Sequence, residues 1–320
     1  SYFFLILKII KNFIFNFNNV NGYYDLNKNP ISNDFFNFLL FLEIERQIKK
    51  KKNISLNIIN IDRIKPEFFR EDINKLEAFS ERFRFFNMNT QSLKLFQHVN
   101  NIKISKKKSL HFIKKSYLNT YNYDVKNCEE YIVSNFNKII EDPLNFESSD
   151  YKVFEDWCNK NKFNSNRIVT ISLRNVKRNS ERNSDLNVWM EFYDFILQYN
   201  FQPIIIYDFE GKNNFDNFNR RELCEIASSD FFKRIIFYKY SALNAFVGQG
   251  PATCNTVMGT NYIYCQNNKK HPLENESRYL KLKNFENKEL FRHIIYENQN
   301  IDELKLTFDK FVEFFEKNNL

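Results

Sequence analysis

Glycine, alanine and proline are scarce in this sequence: its 320 residues contain 5 glycines, 5 alanines and 6 prolines. Asn, Lys, Ile, Phe and Tyr dominate instead, a bias that we interpret as compositional drift. Three of the glycines nevertheless lie within twelve residues, at Gly248, Gly250 and Gly259, and three of the alanines lie in the same stretch, 242–259. Small residues kept against such a drift indicate close approach of the backbone to a ligand or to a packed strand.

Several motifs that carry chemistry are missing. The 5 cysteines form no C-x-x-C pair and the 4 histidines form no H-E-x-x-H, so the sequence predicts free thiols and no metal site. There is no G-x-S-x-G nucleophile motif. The G-x-G-x-x-G and G-K-[ST] fingerprints are also absent, which argues against dehydrogenases and NTPases.

The charge is basic but dispersed. Lys and Arg exceed Asp and Glu by 47 to 39, and apolar residues make up 43% of the chain, enough for packed cores. The dense lysine runs, 49–52 and 106–108, are interpreted as solvated ends, with contact to an anionic membrane surface as the alternative. No basic run alternates with aromatics in the manner of a nucleic-acid module, so no nucleic acid is expected as a partner.

The first residues are strongly apolar. The stretch 2–17 is interrupted by Lys8 and Lys11, so it is too short and too broken for a membrane-spanning helix. We expect a buried opening element, with a membrane-edge segment as the alternative. The chain starts at Ser1 rather than Met, which is compatible with a fragment of a longer protein.

The pattern of apolar segments predicts two α/β domains and a final helix. The expected divisions are 1–155, 165–295 and 300–320, with a polar boundary region at 145–166. In the second half, apolar strands alternate with amphipathic helices, which is typical of a parallel, doubly wound sheet. The predicted strands are 167–173, 202–207, 234–238, 245–247 and 262–265. Asn300 and Glu303 are placed like a capping box at the start of the final helix, 301–315.

In such a sheet, ligands bind beyond the carboxyl ends of the strands. Arg174 follows the first predicted strand, and Arg178 and Arg182 lie in the loop after it. Asp208 follows the next strand. An arginine at a strand end offers a bidentate contact to phosphate.

The small-residue stretch adds a predicted anion site at the same edge. Gly248 and Gly250 allow a sharp turn, and Pro251 suits the first turn of a helix. The N–H groups of Ala252 and Thr253 would then be available to an anion. Together with Arg174 these residues predict a phosphate or diphosphate pocket.

Simpler interpretations stay open for each of these residues. The glycine–proline segment also fits an ordinary tight turn between a strand and a helix. Arg178 and Arg182 also fit solvated loop charges, and Asp208 fits a cap on the turn after its strand. Ser184 and Asp185 are predicted to be a plain helix cap.

A resemblance to a known family rests on these segments. The order strand–Arg174, strand–Asp208 and Phe246-Val-Gly-Gln-Gly-Pro-Ala-Thr253 resembles the C-terminal half of GT-B glycosyltransferases. The glycine–proline segment is similar to the donor-diphosphate loop of the heptosyltransferase-like group. That group usually has Asp-Ser before Gly-Pro and a His after it, whereas this chain has Gly248-Gln249 and Ala252-Thr253.

Two further likenesses point in the same direction. The stretch 171–183 with Trp189 resembles bacterial proteins found among surface-polysaccharide genes, and Arg174 resembles the phosphate-binding arginine of the fucosyltransferase-like branch. The resemblance covers about residues 165–270. It implies that Arg174, Gly250, Pro251, Ala252 and Thr253 contact a nucleotide diphosphate, and that the final helix folds back on the first domain.

The function implied is a metal-independent, cytoplasmic glycosyltransferase that builds surface glycan, without a cofactor. Its partners would be a nucleotide-sugar donor, a glycan or lipid-linked acceptor and, peripherally, the inner membrane surface. No catalytic residue is assigned. A nucleotide-sugar epimerase or hydrolase on a similar scaffold and a non-catalytic binding module stay open as alternatives.

Overall fold

The computed structural model describes most of the chain, in segments. These segments are 18–29, 34–59, 90–105, 120–122, 124–175, 183–207, 222–248, 253–265, 282, 289–296 and 299–318. Within them the chain forms two compact units, Ser1–Asn145 and Phe146–Leu320. The apolar stretch 2–17 and the lysines 106–108 lie outside the described residues. No helix among the described segments is long and apolar enough to span a membrane.

The first unit is built on a parallel sheet. Its described elements are β1 (Asn19–Asp25), α1 (Asp34–Ile48), β2 (Asn53–Ile59), a 3-10 helix (Thr90–Leu95), β3 (Val99–Ser105), β4 (Thr120–Asn122) and α2 (Val125–Asn135). The four described strands have the order β3-β2-β1-β4, and every neighbouring pair is parallel. One face of the unit is closed by α1, whose aromatic and aliphatic side chains are buried from Phe35 to Ile44.

Gly22 allows α1 to lie close to the sheet. A Cβ atom built at this position would clash with Leu42 Cδ1 and would lie 3.1 Å from Phe38 Cζ. Both neighbours belong to the buried face of α1. Here a glycine persists because a helix occupies the space of its side chain, a cause that differs from the ligand or packed strand expected for the stretch 242–259.

The second unit contains a larger parallel sheet. Its elements are α3 (Ser148–Lys160), β5 (Ile168–Leu173), α4 (Leu186–Leu197), β6 (Gln202–Tyr207), α5 (Glu225–Ser229), α6 (Phe231–Tyr240), β7 (Leu243–Val247), α7 (Thr253–Met258), β8 (Tyr262–Cys265), β9 (Arg292–Ile295) and α8 (Ile301–Lys317). The five described strands have the order β6-β5-β7-β8-β9, all in parallel. Every residue of β5, β7 and β8 is buried, as expected for a parallel sheet covered on both faces.

The strand predicted at 234–238 is wrong, because these residues belong to the helix α6. The run of aromatic and β-branched residues suits either structure. The helix is decided by its start, where the side chain of Asp230 accepts a hydrogen bond from the Lys233 N–H at 3.1 Å. β6 pairs with β5 on one side. On its other side, Leu223 makes an isolated parallel bridge to Ile205 of β6.

The final helix, α8, packs within the second unit. Its buried face comprises Leu304, Thr307, Phe308, Phe311, Val312 and Phe315. The apolar members of this face join the core formed by β5, α4 and β7. The apolar face of this helix completes the core of the second unit. That the helix also folds back on the first domain, as the resemblance implied, stays a prediction. Asn300 caps it as predicted, accepting hydrogen bonds from the N–H groups of Asp302 and Glu303.

All five cysteines are free thiols buried in the two units. Burial raises the pKa of Cys128 and Cys224 to about 12 and that of Cys158 to about 11. Burial also raises the pKa of Cys254 and Cys265. Since the thiolate is the nucleophile, these side chains should be inert while the protein is folded.

We therefore expect an aromatic disulfide reagent at pH 8 to modify the native thiols at least about 100-fold more slowly than the unfolded ones, because access needs local or global unfolding. The rate would be followed by absorbance in buffer and in concentrated urea, where all five thiols should react. A rapid phase in the native protein equal to one thiol would contradict the burial of that cysteine.

Candidate functional site

Arg174 and Gly248 follow two neighbouring strands at the same edge of the larger sheet. β5 ends at Leu173 and β7 ends at Val247, and the parallel register sets Ser172 opposite Phe246. Arg174 and Gly248 are therefore the first residues beyond the carboxyl ends of two paired strands. This edge is where ligands bind in doubly wound sheets.

β6 ends at the same edge on the other side of β5. Its last residue, Tyr207, pairs with Leu173. Asp208, the predicted partner at this strand end, lies outside the described residues. In the sheet order β6-β5-β7, β5 is the middle strand, so Arg174 follows the middle strand of the three.

Arg174 is half-buried, and its backbone is fixed by Ser184. The Arg174 N–H donates to Ser184 Oγ at 2.9 Å, and the Ser184 N–H donates to the Arg174 carbonyl at 2.9 Å. This pair closes the base of the loop 175–183. Arg178 and Arg182 belong to that loop but lie outside the described residues.

The cap predicted for α4 is divided between two roles. Asp185 caps the helix, accepting hydrogen bonds from Asn187 and Val188. Ser184 instead uses its hydroxyl to hold the backbone of Arg174. The prediction of a plain Ser-Asp cap is therefore wrong for Ser184, because the turn brings it opposite the end of β5.

The small-residue stretch is described only at its two ends. Gly248 follows β7, and Thr253 is the first described residue of the helix α7. Gly250, Pro251 and Ala252 lie outside the described residues, as does the side chain of Thr253. The strand–turn–helix order predicted for this stretch agrees with β7 and α7, whereas the predicted diphosphate contacts stay a prediction.

Asn255, in α7, is fully buried and only partly hydrogen-bonded. Its Oδ1 accepts a hydrogen bond from Thr260 Oγ1 at 2.9 Å. Its Nδ2 has no hydrogen-bond partner among the described residues. The amide thus fixes the turn after α7 through its oxygen.

Buried polar contacts beneath the edge connect the strands to α6. Ser172 Oγ and Tyr238 Oη lie 2.7 Å apart, and Thr170 Oγ1 donates to Asn244 Oδ1 at 2.6 Å. Asn244 Nδ2 in turn donates to the Tyr238 carbonyl at 2.9 Å. Satisfied polar groups of this kind fix one arrangement of a core, so they hold β5 and β7 in place against α6.

Arg234 fixes the end of β6. Its buried guanidinium donates to the carbonyls of Tyr207 at 2.8 Å and Ser228 at 3.3 Å, and its Nε donates to that of Ala227 at 3.0 Å. The residue was missed from the sequence because it lies in a segment predicted to be a strand. The available signal was a single arginine in the middle of an aromatic run.

Two carboxylates lie close together in the first unit. Asp34 is the first residue of α1, and Glu129 lies on α2. Burial raises the pKa of Glu129, and the negative charge of Asp34 raises it further. Among the described residues there is no group of three or more His, Cys, Asp or Glu side chains that could hold a metal ion.

Comparison with known proteins finds similarity in structure but not in sequence. No family model matches the chain, and no curated protein matches it. The solved structure of ADP-heptose LPS heptosyltransferase II from E. coli is similar with a TM-score of 0.50, covering 92% of this chain and 99% of that one at 8% identity. The glycosyl transferase family 9 protein from Veillonella parvula is similar with a TM-score of 0.48, covering 92% and 97% at 8% identity.

The likeness to the heptosyltransferase establishes the fold. The chain has the GT-B-like fold expected from its sequence, with α/β units built on parallel sheets and a C-terminal helix. At 8% identity the likeness extends to the fold and not to the reaction.

Proposed function

We propose that this protein is a glycosyltransferase that uses a nucleotide-sugar donor to build surface glycan. One observation carries the proposal: Arg174 and Gly248 are the first residues beyond two paired parallel strands. A guanidinium beside a backbone without a side chain suits a ligand that bears phosphate. The fold shared with the E. coli heptosyltransferase supports the reaction class by analogy.

The proposed role of Arg174 is to stabilise the leaving diphosphate. When the glycosidic bond of the donor breaks, negative charge develops on the diphosphate, and a fixed guanidinium lowers the energy of that charge. The hydrogen bonds to Ser184 hold the backbone of Arg174, so little reorganisation is needed when the charge forms. The N–H groups of Ala252 and Thr253 are proposed as further donors.

An inverting transfer also needs a base that takes the proton from the acceptor hydroxyl. The first unit contains the carboxylates Asp34 and Glu129, and burial together with the charge of Asp34 raises the pKa of Glu129, which makes it a stronger base than an ordinary glutamate. We assign no single residue to this role.

Calorimetry with ADP-, UDP-, GDP- and CMP-sugars tests the proposal. ADP-heptose is the first donor to try, because the E. coli heptosyltransferase is named for it. Binding of one donor, followed by release of its nucleotide only when an acceptor glycan is added, is the expected result. An altered or hydrolysed sugar without acceptor would indicate an epimerase or a hydrolase, and no binding by any donor would overturn the proposal.

We further propose that the first unit contacts an anionic membrane, the site of a lipid-linked acceptor. The contact surface is defined by Ile48, the lysines 49–52 and Ile140. Ile140 is 87% exposed, and Ile48 is 37% exposed at the end of α1. Exposed apolar side chains beside lysines suit a surface of acidic lipid headgroups.

This surface is held together by the end of α1. Gln47 Nε2 donates to the Glu141 carbonyl at 3.1 Å, and the Glu141 N–H donates to Gln47 Oε1 at 3.1 Å. Arg46 Nη2 adds an ion pair with Glu141 Oε2 at 3.1 Å. Ile140 is therefore presented next to the lysines by a fixed backbone.

The protein should sediment with vesicles containing phosphatidylglycerol and should stay in solution with neutral phosphatidylcholine vesicles. Replacing Lys50 and Lys52 together by glutamate should weaken binding by about 10-fold or more, since each lysine near an anionic surface contributes about 1 kcal/mol. Ile140→Ser should also weaken it.

Leu306→Ser is the matched control for the apolar change, because Leu306 is 55% exposed on the second unit. Lys152→Glu with Lys160→Glu, both exposed on α3, is the control for the charge change. Equal losses in the control variants, or equal binding to both kinds of vesicle, would refute the assignment of this surface.

A further inference from the structure

Gln299 connects the segment before the final helix to the start of α4. Its Oε1 accepts hydrogen bonds from the Asp185 N–H at 2.7 Å and from Trp189 Nε1 at 2.5 Å. Its Nε2 donates to the Asn183 carbonyl at 3.1 Å. The oxygen and the nitrogen of one side-chain amide thus form hydrogen bonds with three groups that lie more than a hundred residues earlier in the chain.

The three groups surround the residue that holds Arg174. Asn183 and Asp185 flank Ser184, and Ser184 exchanges two hydrogen bonds with the backbone of Arg174. A continuous path therefore runs from Gln299 by hydrogen bonds to residues 183 and 185, along the backbone to Ser184, and by hydrogen bonds to Arg174. Trp189, fully buried in the core of the second unit, anchors the same path.

The backbone of Gln299 is in an uncommon conformation. Its φ is 25°, in the left-handed region that disfavours residues with a side chain. Asn300, the next residue, caps α8. A glycine would fit the backbone better. The side chain of Gln299 compensates for the strain through its contacts with residues 183–185, the loop base.

We propose that Gln299 is a positioning residue, which holds the loop base 183–185 so that Arg174 meets the diphosphate of the donor in a fixed place. The identity of the ligand in this inference rests on the proposed function. The path from Gln299 to Arg174 rests on the hydrogen bonds alone. Gln299 touches no reacting atom, and it acts through Ser184.

A structural role alone would also predict contacts between Gln299 and α4. The two roles differ in what they predict for Arg174. If Gln299 only secures α8, then its loss should change stability and leave the affinity for a nucleotide unchanged. If it positions Arg174, then its loss should weaken binding only while Arg174 is present.

The test uses the full chain with the variants Gln299→Ala and Gln299→Glu, and ADP as the probe. Gln299→Glu keeps the acceptor for Asp185 and Trp189 but loses the donor to Asn183, so it serves if Gln299→Ala folds poorly. Gln202→Ala is the matched control, because Gln202 is a half-buried glutamine at the amino end of β6 whose Nε2 donates to the Pro203 carbonyl.

Two measurements are made on each variant. Hydrogen exchange read by mass spectrometry over 174–185 reports the loop base without any ligand, and calorimetry gives the dissociation constant for ADP. Gln299→Ala should speed exchange in this segment and raise the dissociation constant about tenfold. Gln202→Ala should change neither by more than about twofold. In an Arg174→Ala background, Gln299→Ala should have no further effect on binding.

Unchanged exchange over 174–185 in Gln299→Ala would overturn the path itself. Faster exchange with unchanged affinity, or an equal loss of affinity with and without Arg174, would overturn the positioning role. If the wild-type protein binds neither ADP nor any nucleotide-sugar, then the proposed function fails, and the exchange data alone decide whether Gln299 holds the loop base.

Discussion

Replacement of Arg174 by alanine is expected to raise the dissociation constant for the nucleotide donor by about 30- to 150-fold. A hydrogen-bonded contact between a guanidinium and a phosphate contributes about 2–3 kcal/mol, and each 1.4 kcal/mol is a factor of ten in affinity. The loss should be measured by calorimetry with the donor that binds the wild-type protein best. Arg174→Lys should recover part of it, because lysine keeps the charge but not the fork of two parallel donors.

Arg167→Ala is the matched control for this change. Arg167 lies at the other end of the same strand, and its guanidinium lies 5.1 Å from the centre of the Phe201 ring and 5.6 Å from that of Phe315. Its loss should affect stability modestly and binding hardly at all. Equal affinity of Arg174→Ala and wild type would remove Arg174 from the donor site, and with it the observation that carries the proposed function.

Replacement of Phe308 by alanine is expected to lower the free energy of unfolding of the second unit by about 3–5 kcal/mol. Phe308 is fully buried, and its ring packs edge-on against a cluster of aromatic rings from α4 and the segment after it. The ring centres lie 5.9 Å from Phe192, 6.2 Å from Phe195, 5.6 Å from Tyr199 and 5.7 Å from Phe201. Truncation would leave a cavity where all of these rings meet.

Urea unfolding followed by circular dichroism measures this effect. Leu306→Ala provides the comparison, because Leu306 lies on the same helix but is 55% exposed, and surface changes usually stay within about 0.5 kcal/mol. Similar midpoints for the two variants would mean that α8 does not complete the core of the second unit.

The sequence predicted the elements whose signals are local. Buried strands such as β5 and β6 are continuous apolar runs. Asn300 and an apolar face of helical spacing indicate the helix α8. α6 was mistaken for a strand because its aromatic residues pack on the sheet in either form. The cap at Asp230 marks the start of this helix, and tertiary contacts reinforce it: three carbonyls, brought by β6 and α5, accept hydrogen bonds from the buried Arg234.

The site was predicted only where a strand end marks it. Arg174 and Gly248 each follow an apolar run directly, so parallel topology is enough to bring them to one edge. Ser184 and Gln299 carry no such mark. Their roles depend on a turn that brings residue 184 opposite 174, and on a segment 114 residues away that reaches Asp185. Contacts between residues so far apart in the chain leave no pattern in the spacing or the composition of the sequence.

The place of α8 in the core has a consequence for the order in which the protein can fold during synthesis. The strand at one edge of the larger sheet, β9, and the helix that covers α4 are the last elements of the described chain to be made. Until Phe308 and Phe315 have emerged from the ribosome, the rings of Phe192 and Phe201 lack their contacts with α8. The nascent second unit must therefore expose aromatic surface until α8 is made, and chaperones that bind such surface would reach these rings before α8 packs on them.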